Sequence, residues 1–594
     1  MPPKVATIAH AFEQQVAKYG NRVFLKEKVD KVWRDRSWRE IAEAAGRLRG
    51  GLIAGGIKPG DRIAILSDNC PQWVIVDQAV LGLGAVVIPL YTTSGAEEHR
   101  HVISDSGARI VAARGDENVR KILALSSRLP TVEAVIAMHP GAVAQDRSNG
   151  APPVSTLAAA LAGEAAGIVE GSREDLATII YTSGTTGPSK GVMLTHGNLL
   201  SNCESSLEAL TLSDDDLTLS FLPVAHSFER TGGYYAVMMG GGSIAYAEGL
   251  AQIAQNLLEI RPTIVLTVPR LLEVIYMRVM RTVESGSPLR RAIFNAAVAA
   301  GGHAADYRHH GRPVPPHLVL AMALFRKLVF GRIQAVFGDR LRYLISGGAP
   351  LPRPIFEFLA AAGVPIVEGY GLTEAAPVVS ANLHGRTRVG TVGRALPGVE
   401  VKTAEDGELL VRGKNVMKGY YRREEETREA IDAEGWLHTG DIGKIDSEGY
   451  IAITDRKKEI IVLSGGKNVS PAYLENKLTA DPYIAQACVL GDRRKHLAAL
   501  IVPNFENLAD FLKQNGLAGK PPEELVRDAK FRAFYQERIR QFNKPLSDIE
   551  AIAAFTLMPR QFTQEDGEVT PTLKLRRRVV QEHCRDQIES MFRD

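Results

Sequence analysis

The chain has 594 residues, 45% hydrophobic and 23% charged, and carries a formal net charge of +3. That length exceeds one core and predicts a large multi-lobed domain plus a smaller one. The composition is that of an ordinary soluble globular protein, and so even a charge balance excludes a general affinity for nucleic acid. Cys70, Cys203, Cys488 and Cys584 stand far apart, with no CxxC and no disulfide-framework spacing, which fits buried thiols in a reducing cytosol.

An amphipathic helix is expected from Ile8-Ala9-His10-Ala11-Phe12 onward, with no secretory or transit signal visible. Apolar runs at Arg62–Leu66, Gly84–Pro89 and Arg109–Ala113 then alternate with helical stretches, a rhythm that predicts α/β layers with largely parallel sheets. No apolar run reaches the ~18 residues of a membrane span. The longest, around Ala79–Leu90 and Leu318–Leu324, read as core strand or helix, so the protein is expected to be soluble or at most membrane-associated. Gly141–Gly171, rich in Ala, Gly, Pro and Ser, reads as a flexible surface segment.

The strand-like run Leu176–Ile180 leads into Tyr181-Thr182-Ser183-Gly184-Thr185-Thr186-Gly187-Pro188-Ser189-Lys190-Gly191. Glycines let a backbone approach an anion, hydroxyls and N–H groups donate to phosphate oxygens, and the lysine adds positive charge. This predicts a loop that grips a triphosphate. It is not a Walker A motif, since Ser189 and Gly191 occupy the places of its glycine and its hydroxyl residue, and no GxGxxG opens it.

Further pieces follow in order: Phe221-Leu222-Pro223-Val224-Ala225-His226-Ser227-Phe228-Glu229-Arg230, Ser346-Gly347-Gly348-Ala349-Pro350-Leu351 and Glu368-Gly369-Tyr370-Gly371-Leu372-Thr373-Glu374. Short strands and turns take over from Gly390 to Asp455, with Ser447-Glu448-Gly449 as a hairpin turn. Within that stretch lie Trp436-Leu437-His438-Thr439-Gly440-Asp441 and, at its end, Asp455-Arg456-Lys457-Lys458-Glu459. A compact α+β unit completes the chain and holds Pro571-Thr572-Leu573-Lys574. Alone, YGLTE is a strand-to-helix junction, TGD a turn, and DRKKE a solvated charged stretch.

Together, in this order, they resemble the signatures of the adenylate-forming (AMP-binding) superfamily, and LP-x-x-H-x-FER resembles its long-chain fatty acyl-CoA synthetases. The resemblance spans essentially the whole chain. It implies an N-terminal domain of residues 1–455, with a small β subdomain at about 390–455. A mobile C-terminal domain of residues 456–594 would pivot at the hinge Asp455-Arg456.

The resemblance also implies roles. Thr182, Ser183, Gly184, Thr185, Thr186 and Gly187 would hold the ATP phosphates with Lys190, and Gly347, Gly348 and Ala349 would cradle adenine. Tyr370 would stack on it within Glu368, Gly369, Tyr370, Gly371 and Thr373. Asp441 would accept hydrogen bonds from the ribose, and Arg456 and Lys458 would complete the nucleotide site. Glu374 with the Thr182 hydroxyl would hold Mg²⁺, which takes one or two carboxylates plus phosphate oxygens. His226 would border the acyl pocket, Lys574 would bridge carboxylate and α-phosphate, and Gly465 and Gly466 would line the CoA channel.

The implied reaction runs in two steps: the acid's carboxylate attacks the α-phosphorus of ATP, expelling pyrophosphate, and the CoA thiol then takes the acyl group and releases AMP. Chain length would be set by an apolar tunnel, at about 0.8 kcal/mol per buried methylene. The tryptophan that gates it in some members is missing from Ser464–Val469. Gly286–Val336 matches an insertion common in long-chain synthetases. Its basic residues Arg290, Arg291, Arg308, Arg312, Arg326, Lys327 and Arg332, with apolar Val319–Phe325, suggest a segment that leans on an anionic membrane surface. The alternative there is a solvated helix pair. Arg576-Arg577-Arg578 reads as a solvated helix face.

Two rival functions use the same motifs: a fatty acyl-AMP ligase serving a carrier protein, and a non-catalytic lipid-binding relative. The expected partners are a long-chain fatty acid, ATP and CoA, in a cytoplasmic monomer or homodimer, peripheral at most to the inner face of the membrane.

Overall fold

The computed structural model describes residues 5–139, 151–182, 188–383, 385–457, 459–465, 467–570 and 575–593. The chain divides into two compact units. The first comprises residues 1–402, 410–439 and 445–452, and the second residues 403–409, 440–444 and 453–594.

Two sheets organise the first unit. One has nine strands, in the order Arg394–Ala395, Val378–Ala381, Ile366–Gly371, Tyr343–Ser346, Ile264–Thr267, Leu217–Ser220, Ser243–Tyr246, Val23–Val29 and Val32–Ser37. The other has eight, in the order Gly419–Tyr420, Lys190–Thr195, Leu176–Thr182, Val86–Leu90, Arg62–Leu66, Ile110–Ala113, Ala134–Ala137 and Val154–Thr156. The central strands are parallel, and antiparallel pairing is confined to the edges. Val86–Leu90 and Ile110–Ala113 are buried at every position, as parallel strands covered by helices on both faces must be. The α/β class expected from the sequence is therefore the fold.

Three local expectations are corrected. Of the segment Gly141–Gly171, residues 141–150 lie outside the described residues, and residues 151–171 are tied to their neighbours rather than loose. Val154–Thr156 joins the sheet edge, the Ala166 N–H donates to the Gly46 carbonyl at 3.0 Å, and Arg49 Nη1 donates to the Ala166 carbonyl at 2.7 Å. Leu318–Leu324 is a helix, Pro316–Phe325, with no fully buried residue. Its Met322 and Phe325, with Val329, pack on the core, but Val319, Leu320, Leu324 and Leu328 are 54%, 75%, 56% and 53% exposed. An apolar composition cannot say which face of a helix is covered. The third correction concerns Arg577. It is half-buried rather than solvated, donating to Glu475 Oε1 at 2.5 Å and to the Val489 carbonyl at 2.8 Å, whereas Arg578 lies on the exposed side with Glu582.

The second unit centres on the sheet Ile484–Leu490, Leu497–Pro503 and Ile552–Leu557, antiparallel then parallel. Ala529–Asn543 buries Phe531, Tyr535 and Ile539 against it. The short strands Val399–Thr403, Glu408–Gly413, Leu437–Ile445 and Ile451–Arg456 occupy the stretch where the division between units falls. All four cysteines are free and buried. Among the described residues no helix is long and apolar enough to cross a membrane.

Candidate active site

Leu176–Thr182 and Lys190–Thr195 pair antiparallel with Thr182 opposite Lys190, so the hydroxyl-rich segment falls, in the sequence, between two paired strands. Ser183, Gly184, Thr185, Thr186 and Gly187 lie outside the described residues. Lys190 Nζ sits 5.1 Å from the Tyr420 ring centroid. Tyr420 Oη donates to Glu374 Oε1 at 3.0 Å. Tyr420 is placed by strand pairing, opposite Val192 on the strand that starts at Lys190. Burial and the Glu374 carboxylate raise its phenol well above the usual range, so it stays a donor at any working pH. A cation, a phenol and a carboxylate distant in sequence thus meet at one point.

Glu374 follows the strand Ile366–Gly371 in a short turn, Thr373–Ala375. Gly371 is required there, because a Cβ would lie 2.0 Å from the Pro377 carbonyl oxygen. Tyr370 is buried opposite Ser380, and Gly369 stands opposite Ala381. The Thr373 and Ser227 hydroxyls are 3.1 Å apart and buried. Next to Ser227, half-buried His226 accepts the Phe228 N–H on Nδ1 at 3.2 Å. Phe228 lies under Gly347, its ring 2.9 Å from where a Cβ would stand. Three sequence motifs therefore touch one another directly. Gly348 and Ala349 are exposed, Gly348 with φ +81°. Glu368 Oε1 accepts the Leu351 N–H at 3.1 Å, and burial pushes its carboxyl up to about 7.

A second polar group underlies this surface. Glu229–Tyr235 forms a π-helical turn, a deformation that recurs at functional sites. Arg230, fully buried, donates to Asp77 Oδ1 at 2.5 Å and to Thr178 Oγ1 at 2.7 Å. Tyr235 Oη donates to Asp77 Oδ2 at 3.0 Å. Since Thr178 belongs to the strand Leu176–Thr182, Arg230 ties the His226 turn to that strand. Glu229 accepts the Ser220 hydroxyl at 2.6 Å, and burial pushes its carboxyl up to about 8, so it keeps its proton at neutral pH.

Among the described residues no group of three or more His, Cys, Asp or Glu could enclose a metal. The donor set still fits Mg²⁺. Glu374 is part-exposed and commits one oxygen to Tyr420, whose ring Lys190 Nζ approaches. One protein carboxylate plus substrate phosphates is how Mg²⁺ is usually held.

In the second unit, Asp441 is buried with Arg456 Nε 3.1 Å from Oδ1. Glu408 accepts the Gly440 N–H at 2.8 Å and Lys457 Nζ at 2.9 Å, which fixes the strand beside Asp441. The Asp455 carboxylate accepts the Arg456 N–H at 2.7 Å, and burial raises its pKa. Gly465 is exposed in the loop between the paired strands Ile461–Val462 and Asn468–Val469. Lys458, Gly466 and Pro571–Lys574, with the catalytic candidate Lys574, lie outside the described residues.

Sequence reasoning missed Tyr420, Ser227 and Asp77. For Asp77 a signal existed, a carboxylate inside the apolar helix Pro71–Gly82. For Tyr420 none did, because its strand is two residues long.

The sequence matches the AMP-binding enzyme family over residues 12–421 and the AMP-binding enzyme C-terminal domain over residues 458–594. It is 37% identical over 583 residues to a long-chain-fatty-acid–CoA ligase of Mycobacterium bovis, covering 96% of this chain and 94% of that one. To a peroxisomal long chain acyl-CoA synthetase of Arabidopsis thaliana it is 31% identical over 620 residues, covering 99% and 87%. In fold it is similar to the adenylation domain of a carboxylate reductase from Mycobacterium chelonae, with TM-score 0.81, 24% identity and coverage of 100% and 92%. The chain belongs to the family of AMP-binding enzymes.

Proposed function

We propose that this enzyme activates a long-chain fatty acid as its acyl-adenylate and transfers the acyl group to CoA, releasing AMP and pyrophosphate. The observation that carries the reading is the junction of Lys190, Tyr420 and Glu374 at the start of the strand Lys190–Thr195, with the His226 turn fastened to the same site through Ser227, Thr373 and Gly347. Two anions, a carboxylate and a triphosphate, must meet, so neutralising and orienting charge is the main task. Lys190 offsets the β- and γ-phosphates, and Tyr420 holds Glu374 in one orientation. When bound, Mg²⁺ would neutralise phosphate charge from its place on Glu374 and the Thr182 hydroxyl.

Tyr370 and the Gly347-Gly348-Ala349 backbone would hold adenine, Asp441 and Arg456 the ribose side. Lys574 would supply the preorganised cation at the α-phosphate, a contribution of roughly 10²–10³ in rate for one such donor. The acyl-adenylate is already a good electrophile, so the thiol step needs no protein nucleophile. A pivot at Asp455 would withdraw Lys574 and bring the Gly465-Gly466 loop forward, the hinge absorbing the φ/ψ change.

The names of the relatives favour CoA as acceptor over a carrier protein. An acid panel from short to long chains, with CoA present or absent, tests the reading. Acyl-CoA and AMP formed from long-chain acids are expected; adenylate that accumulates and is discharged only by a carrier protein would favour the acyl-AMP ligase. Membrane association belongs to the same reading. Gly286–Val336 sets its basic residues against a single carboxylate, Asp306, and the outward apolar face of Pro316–Phe325 lies among them. An exposed apolar helix face flanked in the sequence by basic residues suits the interface of anionic lipid. Co-sedimentation with anionic vesicles that is lost in Leu320→Asp/Leu324→Asp is the expected result; equal binding by wild type and variant would refute it.

A further inference from the structure

In the first unit a cavity of about 920 Å³ lies among the helices Pro269–Glu284, Pro288–His309 and Arg353–Ala361 and the loop 385–389. Sites for small molecules span about 300–1,000 Å³. The floor is apolar, formed by Tyr276, Met280, Phe294, Val298 and Phe358.

The space exists because one helix face is too small to fill it. Pro288–His309 turns Ala299, Gly302 and Ala305 toward the cavity, and a Cβ on Gly302 would meet nothing within 4 Å. The helices cannot close the gap by moving together. At Gly301 the backbones already touch, and a Cβ there would lie 2.3 Å from the Ala361 carbonyl oxygen.

The mouth carries four arginines. Arg353 donates to Glu357 at 2.7 Å, Arg388 is paired with Asp446 and Glu448, and Arg394 lies 3.7 Å from Glu448. Arg386, exposed on the rim, has no carboxylate partner among the described residues. Asp306, also on the lining, faces His310 at 3.4 Å, and the apolar floor under the Arg386 guanidinium is complementary to an alkyl chain ending in an anion. None of the motif residues Lys190, His226, Gly347–Ala349 or Glu368–Glu374 lines the cavity.

We infer that this cavity binds a long-chain acyl anion, as a second acyl site separate from the place where the adenylate forms. The choice of ligand class rests on the proposed function, which makes such molecules both substrate and product. Free fatty acid and acyl-CoA share the chain and the negative head, and competition separates them.

The test fills the active site with a non-hydrolysable acyl-sulfamoyl-adenosine and titrates a fluorescent long-chain fatty acid. One further equivalent should bind. Gly302→Phe, which fills the space on a helix that gains from losing glycine, should remove it. Arg386→Ala should weaken it about tenfold, as loss of one charge-assisted hydrogen bond does. Displacement by palmitate or by palmitoyl-CoA then identifies the source. No further binding, or binding unchanged in both variants, would overturn the inference. ATP–pyrophosphate exchange, measured separately, keeps the two readings apart. Exchange without a second equivalent sinks this inference alone; a second equivalent without exchange sinks the adenylation reading alone.

Discussion

The Asp77–Arg230 pair and the Glu374–Tyr420–Lys190 group draw on the same side-chain chemistry in opposite ways. In the first, both charges are fully buried, and Tyr235 and Thr178 add hydrogen bonds to the pair. In the second, Glu374 and Lys190 are only part-buried, and one hydrogen bond steadies the carboxylate. Buried polar groups must be satisfied to be tolerated, so the lower cluster can serve only position. The upper one keeps charge available for a ligand. The site thus joins a fully satisfied buried polar pair to a part-exposed group with hydrogen-bonding capacity left over.

The sharpest way to break that contrast is Asp77→Ala, which leaves Arg230 charged and unpaired in the core. Unfolding stability should fall by about 3–5 kcal/mol, as read by denaturant titration. Asp77→Leu with Arg230→Met should recover most of the loss. If Asp77→Ala is neutral, the buried pair is not structural.

Glu374→Gln acts on the other cluster. Adenylate formation should drop roughly 10²–10³-fold while stability stays within about 0.5 kcal/mol of wild type. A matching loss of stability would mean Glu374 supports the fold rather than the chemistry.

Glu229 sharpens the comparison through pH. Its carboxyl titrates near 8 in the folded protein against 4.5 when unperturbed. Between those values the folded state binds more protons, so its contribution to stability is complete below about 4.5 and is lost as pH rises through 8. The expected slope is about 1.4 kcal/mol per pH unit within the window, and Glu229→Gln should flatten it. Tyr420→Phe should be the mildest change. It removes one hydrogen bond to a carboxylate and should cost adenylate formation about tenfold, with the fold intact.

Much of this arrangement was legible in the sequence, because order along the chain carries it. The alternation of apolar strands and helices predicts the parallel sheets, and the β-prone run Leu176–Ile180 is a strand. What could not be read is what depends on facing. Pro316–Phe325 is apolar all round, so composition alone does not tell that Leu320 and Leu324 point outward while Met322 and Phe325 pack inward. Arg577 looks like its neighbours in a basic run, yet it is the one that meets Glu475. Tyr420 reaches Glu374 only because a two-residue strand extends the sheet edge, and no periodicity marks so short a segment.

The central claim is that the Lys190–Tyr420–Glu374 surface lets a fatty carboxylate attack the α-phosphorus of ATP. Exchange of labelled pyrophosphate into ATP by the purified enzyme tests this most directly. The account predicts exchange that depends on a long-chain acid, needs no CoA, and collapses in Glu374→Gln. Absence of exchange with every acid supplied, or full exchange in that variant, would contradict it.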